Sequence, residues 1–289
     1  MTRGTATWIG FGAVVLWGTL ALFTVGSAPT PPFLLNAICF LIGGTLGMIW
    51  TAATGGLSQL RAVPLRVYAF GTLGLFGYHA LYFSALRLAP AAEASLIAYL
   101  WPLLIVLLSG LLPGEKLRAG HVVGAVVGFA GAALIVTGGA NGFEVDALPG
   151  YALALACALT WSSYSVVSRR FGTVPTASVA VFCLASAALS VPLHLMTEQT
   201  IWPQGLLGWA SAVALGLGPV GLAFYVWDIG VKRGDIQILG TASYAAPLLS
   251  TVVLVVAGVA APSVSLAGAA ILITAGALLA ARASFRSRG

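Results

Sequence analysis

Apolar residues run along this chain in long unbroken blocks, each ended by a short cluster of proline, glycine or charge. "AVVGFAGAALIV" (125–136) and "LLSTVVLVVAGVAA" (248–261) contain no alternation of polar and apolar positions. A membrane β-barrel needs strict alternation over segments of about ten residues. A helix crossing the hydrocarbon core needs about 20 apolar residues in a row. The pattern therefore predicts helical spans at 6–27, 31–53, 66–87, 91–112, 119–138, 148–170, 175–196, 205–230, 236–260 and 264–283. Breaks are predicted at Pro29, Pro31 and Pro32, at Pro90, at Pro113 and Gly114, at Gly138 and Gly139, and at Pro175, Pro203 and Pro262.

Composition agrees with lipid as the solvent. Hydrophobic residues make up 60% and charged residues 7%. A soluble domain carries about a quarter charged residues, so this chain has too few to cover a water-facing surface. The net charge is +6, but the basic residues sit between apolar runs. They read as orientation signals and contacts to anionic lipid, not as a nucleic-acid surface. Arg3 precedes a long first apolar run with no clean cleavage site, which reads as a span rather than a removed signal.

The charges also test the map. With the N-terminus in the cytoplasm, Arg3, Arg61, Arg66, Lys116, Arg118, Arg169, Arg170, Lys232, Arg233, Arg282, Arg286 and Arg288 all fall on the cytoplasmic side. Only Arg87 falls on the far side, with Glu144, Asp146 and Glu198. Cytoplasmic loops carry the excess of Lys and Arg. Both termini are thus expected in the cytoplasm.

Self-similarity is the next signal. At a shift of 145 residues Tyr99 falls on Tyr244, Pro102 on Pro247, Arg87 on Lys232, Gly71 on Gly216 and Gly131 on Gly276. At a shift of 144, Trp17 falls on Trp161. Two copies of five spans, residues 1–141 and 142–289, are expected. An odd number of spans inverts the second copy, and inverted repeats mark transporters with a midplane site.

The segments "ALALACALTWSSYSVVSRRF" (152–171), "LRLAPAAEASLIAYLWPLLIVLLS" (86–109) and "GEKLRAGHVVGAVVGFAGAALIV" (114–136) resemble the paired repeats of the EamA family, in the drug/metabolite transporter superfamily. The residues of the third, fourth and ninth spans most resemble its YddG-type exporters of aromatic and other amino acids. The resemblance implies ten helices, both termini inside and export of small metabolites. One departure stands out: Glu115 has no counterpart, since Ala260 and Ala261 occupy that region of the second copy. It is expected to cap a helix end or pair locally with Lys116 or Arg118.

Polar groups at lipid depth are costly and so face a cavity or a partner. His79 is the titratable group expected nearest the midplane; Glu93, His194 and Asp228 lie toward span ends. Helical spacing sets Tyr78, His79 and Tyr82 on one face with Leu75. Ser95, Tyr99 and Trp101 of the next span, Trp17, the Trp161, Tyr164 and Ser165 group, Tyr225 and Trp227, and Ser243 with Tyr244 complete a candidate substrate-binding chamber. Rings would hold an apolar side chain while hydroxyl, indole and imidazole groups meet an amine and carboxylate. The competing reading of each mid-span ring is packing or lipid contact, and of His79 an interhelical hydrogen bond. Trp8, Trp50, Trp202 and Trp209 at span ends read as an interface belt.

Gly71, Gly74 and Gly77, with Gly216, Gly218, Pro219 and Gly221, are expected bending points. Gly120, Gly124, Gly128 and Gly131, with Gly43 and Gly47, are expected to pack within a monomer rather than at a dimer seam. Cys39, Cys157 and Cys183 have no metal spacing, and no metal or cofactor is expected. No nucleophile–base set or paired carboxylates marks an enzyme. The expected function is export of aromatic and other large neutral amino acids by alternating access, facilitative for want of a central carboxylate. The alternative is another metabolite, or a drug-like cation, in the same fold.

Overall fold

The computed structural model describes residues 1–136, 145–261 and 264–285. Gly138, Gly139, Glu144, Pro262, Arg286, Arg288 and the expected boundary between 141 and 142 lie outside them. Among the described residues there are helices and no strands. They are α1 Arg3–Trp17, α2 Leu20–Gly26, α3 Pro32–Ala53, α4 Leu57–Arg61, α5 Leu65–Leu88, α6 Ala91–Ala98, α7 Trp101–Ser109 and α8 Ala119–Val136. The second part holds α9 Leu148–Ser168, α10 Ser178–Thr197, α11 Gly205–Leu217, α12 Ala223–Arg233, α13 Ile236–Ala242, α14 Ala245–Val256 and α15 Val264–Phe285. Helices form on every expected span.

Among the described residues, eight helical stretches are long and apolar enough to cross a membrane. The 24-residue α5 is long enough, but Arg66, His79 and Arg87 dilute its apolarity. The apolar stretch of α8, Ala119–Leu134, is shorter than a full span. The outward surface is greasy: Leu41, Ile49, Leu73 and Ile271 are all more than half exposed. Trp8, Trp50 and Trp209 in their helices and Trp202 just before α11 are also exposed. Lipid supplies the partner such a surface lacks.

Prolines set helix starts where a missing N–H costs nothing: Pro31 and Pro32 open α3, Pro64 opens α5 and Pro90 opens α6. Three spans are interrupted. The first breaks at Gly18–Thr19 between α1 and α2, the fourth at Tyr99–Leu100 between α6 and α7, and the ninth at Ser243–Tyr244 between α13 and α14. A π turn, Gly218–Leu222, separates α11 from α12. Pro219 has no N–H to continue the ladder there.

The core forms by pairing helices from opposite ends of the sequence. α8 lies along α15, α3 along α10, α5 along α9, α1 along α12 and α7 along α13. Glycines make these approaches possible. A Cβ at Gly10 would sit 2.7 Å from the Gly230 Cα, and one at Gly124 2.5 Å from the Gly276 carbonyl oxygen. The α8 glycines thus face α15 of the same chain. α5 runs as one continuous helix through Gly71, Gly74 and Gly77, the expected bending points. Gly71 and Gly74 instead leave room for the rings of Phe182 and Tyr164.

One end of the bundle gathers the basic residues. Arg3, Arg169 and Lys116 lie there with Asp235 and Gln237, and Lys232 pairs with Asp228 and donates to the Val174 carbonyl. At the opposite end Arg87 pairs with Glu198, which accepts from the Phe33 and Leu34 N–H groups and so caps α3.

Candidate substrate chamber

Four tryptophans from four helices meet in the middle of the bundle. Trp17 ends α1, Trp101 begins α7, Trp161 lies in α9 and Trp227 in α12. Trp17 is the hub, with ring centroids 5.9 Å from Trp101, 5.8 Å from Trp161 and 5.1 Å from Trp227. Edge-to-face and tilted packing of this kind is the favoured aromatic geometry. Two of the polar tips are engaged. Trp17 Nε1–H donates to the Pro219 carbonyl at 3.1 Å, tying the cluster to the π turn. Trp227 Nε1–H donates to Ser165 Oγ at 3.1 Å.

A second wall comes from α5. Tyr78 and Tyr82 stack at 6.2 Å, and Tyr78 lies 5.4 Å from Trp161. Tyr82 and Ser95 share a hydroxyl–hydroxyl bond of 2.9 Å across to α6. The His79 ring meets Phe40 at 5.1 Å and Phe224 at 6.1 Å. Its Nδ1 lies 2.8 Å from the Leu75 carbonyl. A carbonyl only accepts, so Nδ1 carries the proton and Nε2 of the neutral ring is left as an acceptor. Tyr164 packs on Trp161 at 5.3 Å and on Phe70 at 5.8 Å.

The model of the EamA-like transporter family matches residues 5–137 and again 148–282. The chain belongs to the EamA-like transporter family. An aromatic amino acid exporter, YddG, of Ancylobacter novellus is 57% identical over 283 residues, 97% of this chain and 98% of that protein. The protein of the same name from Escherichia coli is 28% identical over 96% of this chain and 97% of its own length. A probable terminal-alkyne amino-acid exporter of Streptantibioticus cattleyicolor is 28% identical over 81% of this chain and 78% of its own. A crystal structure of a protein 57% identical superposes with a TM-score of 0.92, over 96% of this chain and 98% of that one.

Within this EamA chain the expected residues divide. Trp17, Tyr78, His79, Tyr82, Trp101, Trp161, Tyr164 and Ser165 come together. Tyr99 sits at the α6–α7 break, its N–H bonded to the Ser95 carbonyl at 2.8 Å. Ser243 and Tyr244 lie elsewhere. Ser243 Oγ–H donates to the Leu239 carbonyl of its own helix. Tyr244 is buried against Val106, Ala125 and Ile273, and its hydroxyl accepts from the Leu103 N–H at 3.0 Å. It caps α7 rather than facing the tryptophans. Phe40, Phe83, Phe70 and Phe224 join the cluster without having been anticipated, because a phenylalanine within an apolar run carries no local mark. Glu115 is a correction. It pairs with Arg3 at 3.0 Å and with Arg169, not with Lys116 or Arg118.

Proposed function

We propose that this chain exports aromatic and other large neutral amino acids across the bacterial inner membrane, by alternating access of two inverted five-helix halves, residues 1–141 and 142–289. The observation that carries the reading is the meeting of Trp17, Trp101, Trp161 and Trp227, drawn from both halves. A flat apolar side chain slides between such rings with little loss of contact area, and an ammonium rests over a ring face. His79 Nε2 can accept from that ammonium. The positive end of α7, near mid-depth, attracts the substrate carboxylate through the helix dipole alone, since Pro102 has no N–H and Tyr244 takes that of Leu103. The 57% identity to a named aromatic amino acid exporter supports the substrate class.

Several features support the inverted halves. The family model matches twice. The breaks at Tyr99 and Tyr244 stand at corresponding positions. Several packed pairs also exchange onto themselves when the two halves are swapped: α3 with α10, α8 with α15, and α5–α9 for α12–α1. Gathering of the basic residues at the Arg3 end supports cytoplasmic termini. Among the described residues Glu115, Asp228, Asp235 and Glu198 are each held by a cation, and Glu93 lies in the first turn of α6, toward a span end. That leaves them poorly placed to carry a coupling proton, so the substrate gradient is the driving force. The glycine faces are spent within the chain, which favours a monomer. The bend lies at Gly216, Gly218, Pro219 and Gly221, and the Trp17 indole connects it to the chamber.

The test is counterflow into proteoliposomes with labelled phenylalanine, tryptophan, tyrosine and leucine, beside a lipophilic cation and a nucleotide sugar. Saturable counterflow of the neutral amino acids is expected, lost in Trp101→Ala. Counterflow of the cation or the sugar alone removes the reading.

A further inference from the structure

Four charged side chains from four elements meet at the basic end. Arg3 of α1 reaches Glu115, in the segment before α8, at 3.0 Å, and Asp235, the N-cap of α13, at 3.3 Å. Arg169, just past α9, also pairs with Glu115. Its other nitrogen donates to the Val231 and Gly234 carbonyls at 2.9 Å each. The Thr7 hydroxyl donates to the Arg3 carbonyl and accepts from the Asp235 N–H, both at 2.8 Å. The carboxylates are sealed from solvent, with Glu115 7% and Asp235 3% exposed. Arg3 and Glu115 belong to the first half of the sequence, Arg169 and Asp235 to the second. Directly inside this network lies Leu239, wholly buried, its methyls against the Gly10–Gly230 contact.

The internal repeat supplies a control within the same molecule. Shifted by 144 residues, Arg3 and Arg169 fall on Ala147 and Val25; shifted by 145, Glu115 and Asp235 fall on Ala260 and Pro90. None of the four charges recurs at the equivalent positions of the opposite end. Arg87 and Glu198 do pair at that end. They join α5 to the end of α10 and the start of α3, which are not the elements that correspond to the four here. At that end the buried Glu198 holds one arginine, with His194 as its other partner, whereas Glu115 holds two arginines.

We propose that Glu115 is the latch of the cytoplasmic mouth, and that its absence from the other copy makes the cytoplasm-closed arrangement the resting one. The proposal rests on the alternating-access reading above. Opening the mouth parts Arg3 from Asp235 and Glu115 from Arg169, because the partners ride on different halves. A buried ion that loses its partner is strongly destabilised. In an opened mouth water rehydrates the four groups, so the latch biases the equilibrium instead of blocking it. The opposite mouth parts only the Arg87–Glu198 pair, not a network of four charges. Two halves of like architecture thereby have unequal preferences, set by charges that only one copy carries.

The test uses the full chain with Cys39, Cys157 and Cys183 replaced by serine and a reporter cysteine at Leu239→Cys. A membrane-impermeant maleimide is applied from the cytoplasmic face of vesicles. Labelling is expected to be slow with Glu115 present and about tenfold faster or more in E115Q, a shift of the size expected when a two-state equilibrium loses a buried charge pair. E115D, which keeps the charge, should stay near the parent rate. Equal rates with Glu115 and E115Q overturn the proposal. A second measurement covers an E115Q that fails to fold. Cysteines at Arg3→Cys and Asp235→Cys, which lie on different halves, joined by a reducible cross-linker, should arrest counterflow until reductant is added; counterflow that continues while cross-linked overturns the latch. Labelling needs no substrate. If the maleimide result holds while no amino acid is transported, the exporter reading falls and the latch stands.

Discussion

Trp17 is the side chain on which the chamber and the bend both depend, and two substitutions separate those roles. Trp17→Phe keeps a ring but deletes the indole N–H that the Pro219 carbonyl accepts at 3.1 Å. Pro219 is buried, so its carbonyl is left without that donor, at a cost of about 1–3 kcal/mol, or about 5- to 150-fold in an equilibrium. Trp17→Ala also removes ring contacts to Trp101, Trp161, Trp227 and Phe224. At about 0.5–1.5 kcal/mol for each aromatic pair, the four amount to about 2–6 kcal/mol, and mutual dependence pushes the sum toward the lower figure. Counterflow of labelled tryptophan in proteoliposomes, with substrate affinity measured on the same protein, reads both. Trp17→Phe should keep affinity within a few-fold while turnover drops about fivefold or more, because the bend has lost its tie. Trp17→Ala should lose affinity as well. A Trp17→Ala carrier with affinity and turnover within twofold of the parent would refute the assignment of the ring cluster as the binding site.

Glu198→Gln leaves Arg87 without its partner and weakens the acceptor for two N–H groups at the start of α3. The thermal midpoint in detergent should fall by an amount matching about 2–4 kcal/mol, and an unchanged midpoint would show the cap to be idle. Tyr244→Phe removes the hydroxyl that the Leu103 N–H donates to. It should cost about 1–2 kcal/mol of stability and leave substrate affinity untouched; a large affinity loss would return Tyr244 to the chamber. Gly10→Ala places a methyl 2.7 Å from the Gly230 Cα. Backbone cannot yield as a flexible side chain does, so about 1–3 kcal/mol of overpacking is expected at the α1–α12 contact. Normal stability and counterflow in that variant would mean the two helices are free to move apart.

Span boundaries were legible wherever proline or charge stands at a helix end. Pro31 and Pro32 fix the start of α3, and Arg66 and Arg87 bracket α5. The mid-span breaks were not. Tyr99–Leu100 and Ser243–Tyr244 lie inside apolar runs, and Pro102 and Pro247, just beyond each break, are compatible with a continuous bent helix as much as with two short ones. A break rotates everything after it. The face of Tyr244 was therefore unreadable, and it turned out to cap α7 instead of lining the chamber. Trp17, Trp101 and Trp161 were placed by depth alone, which suffices for large rings converging on a narrow midplane. Glu115 shows the opposite limit. Its partners lie 112 and 54 residues away, and no local spacing points to them.

The eight tryptophans fall into two sets of four, and this has an optical consequence. The ring centroids of Trp17, Trp101, Trp161 and Trp227 all lie within 6.3 Å of one another, close enough for their excited states to couple. Trp8, Trp50, Trp202 and Trp209 face outward and emit as a steady background. A molecule that inserts between the inner rings must alter their coupling and hence the near-ultraviolet dichroism, with the outer set unaffected. The chain thus carries a spectroscopic probe of its own occupancy, without any added label.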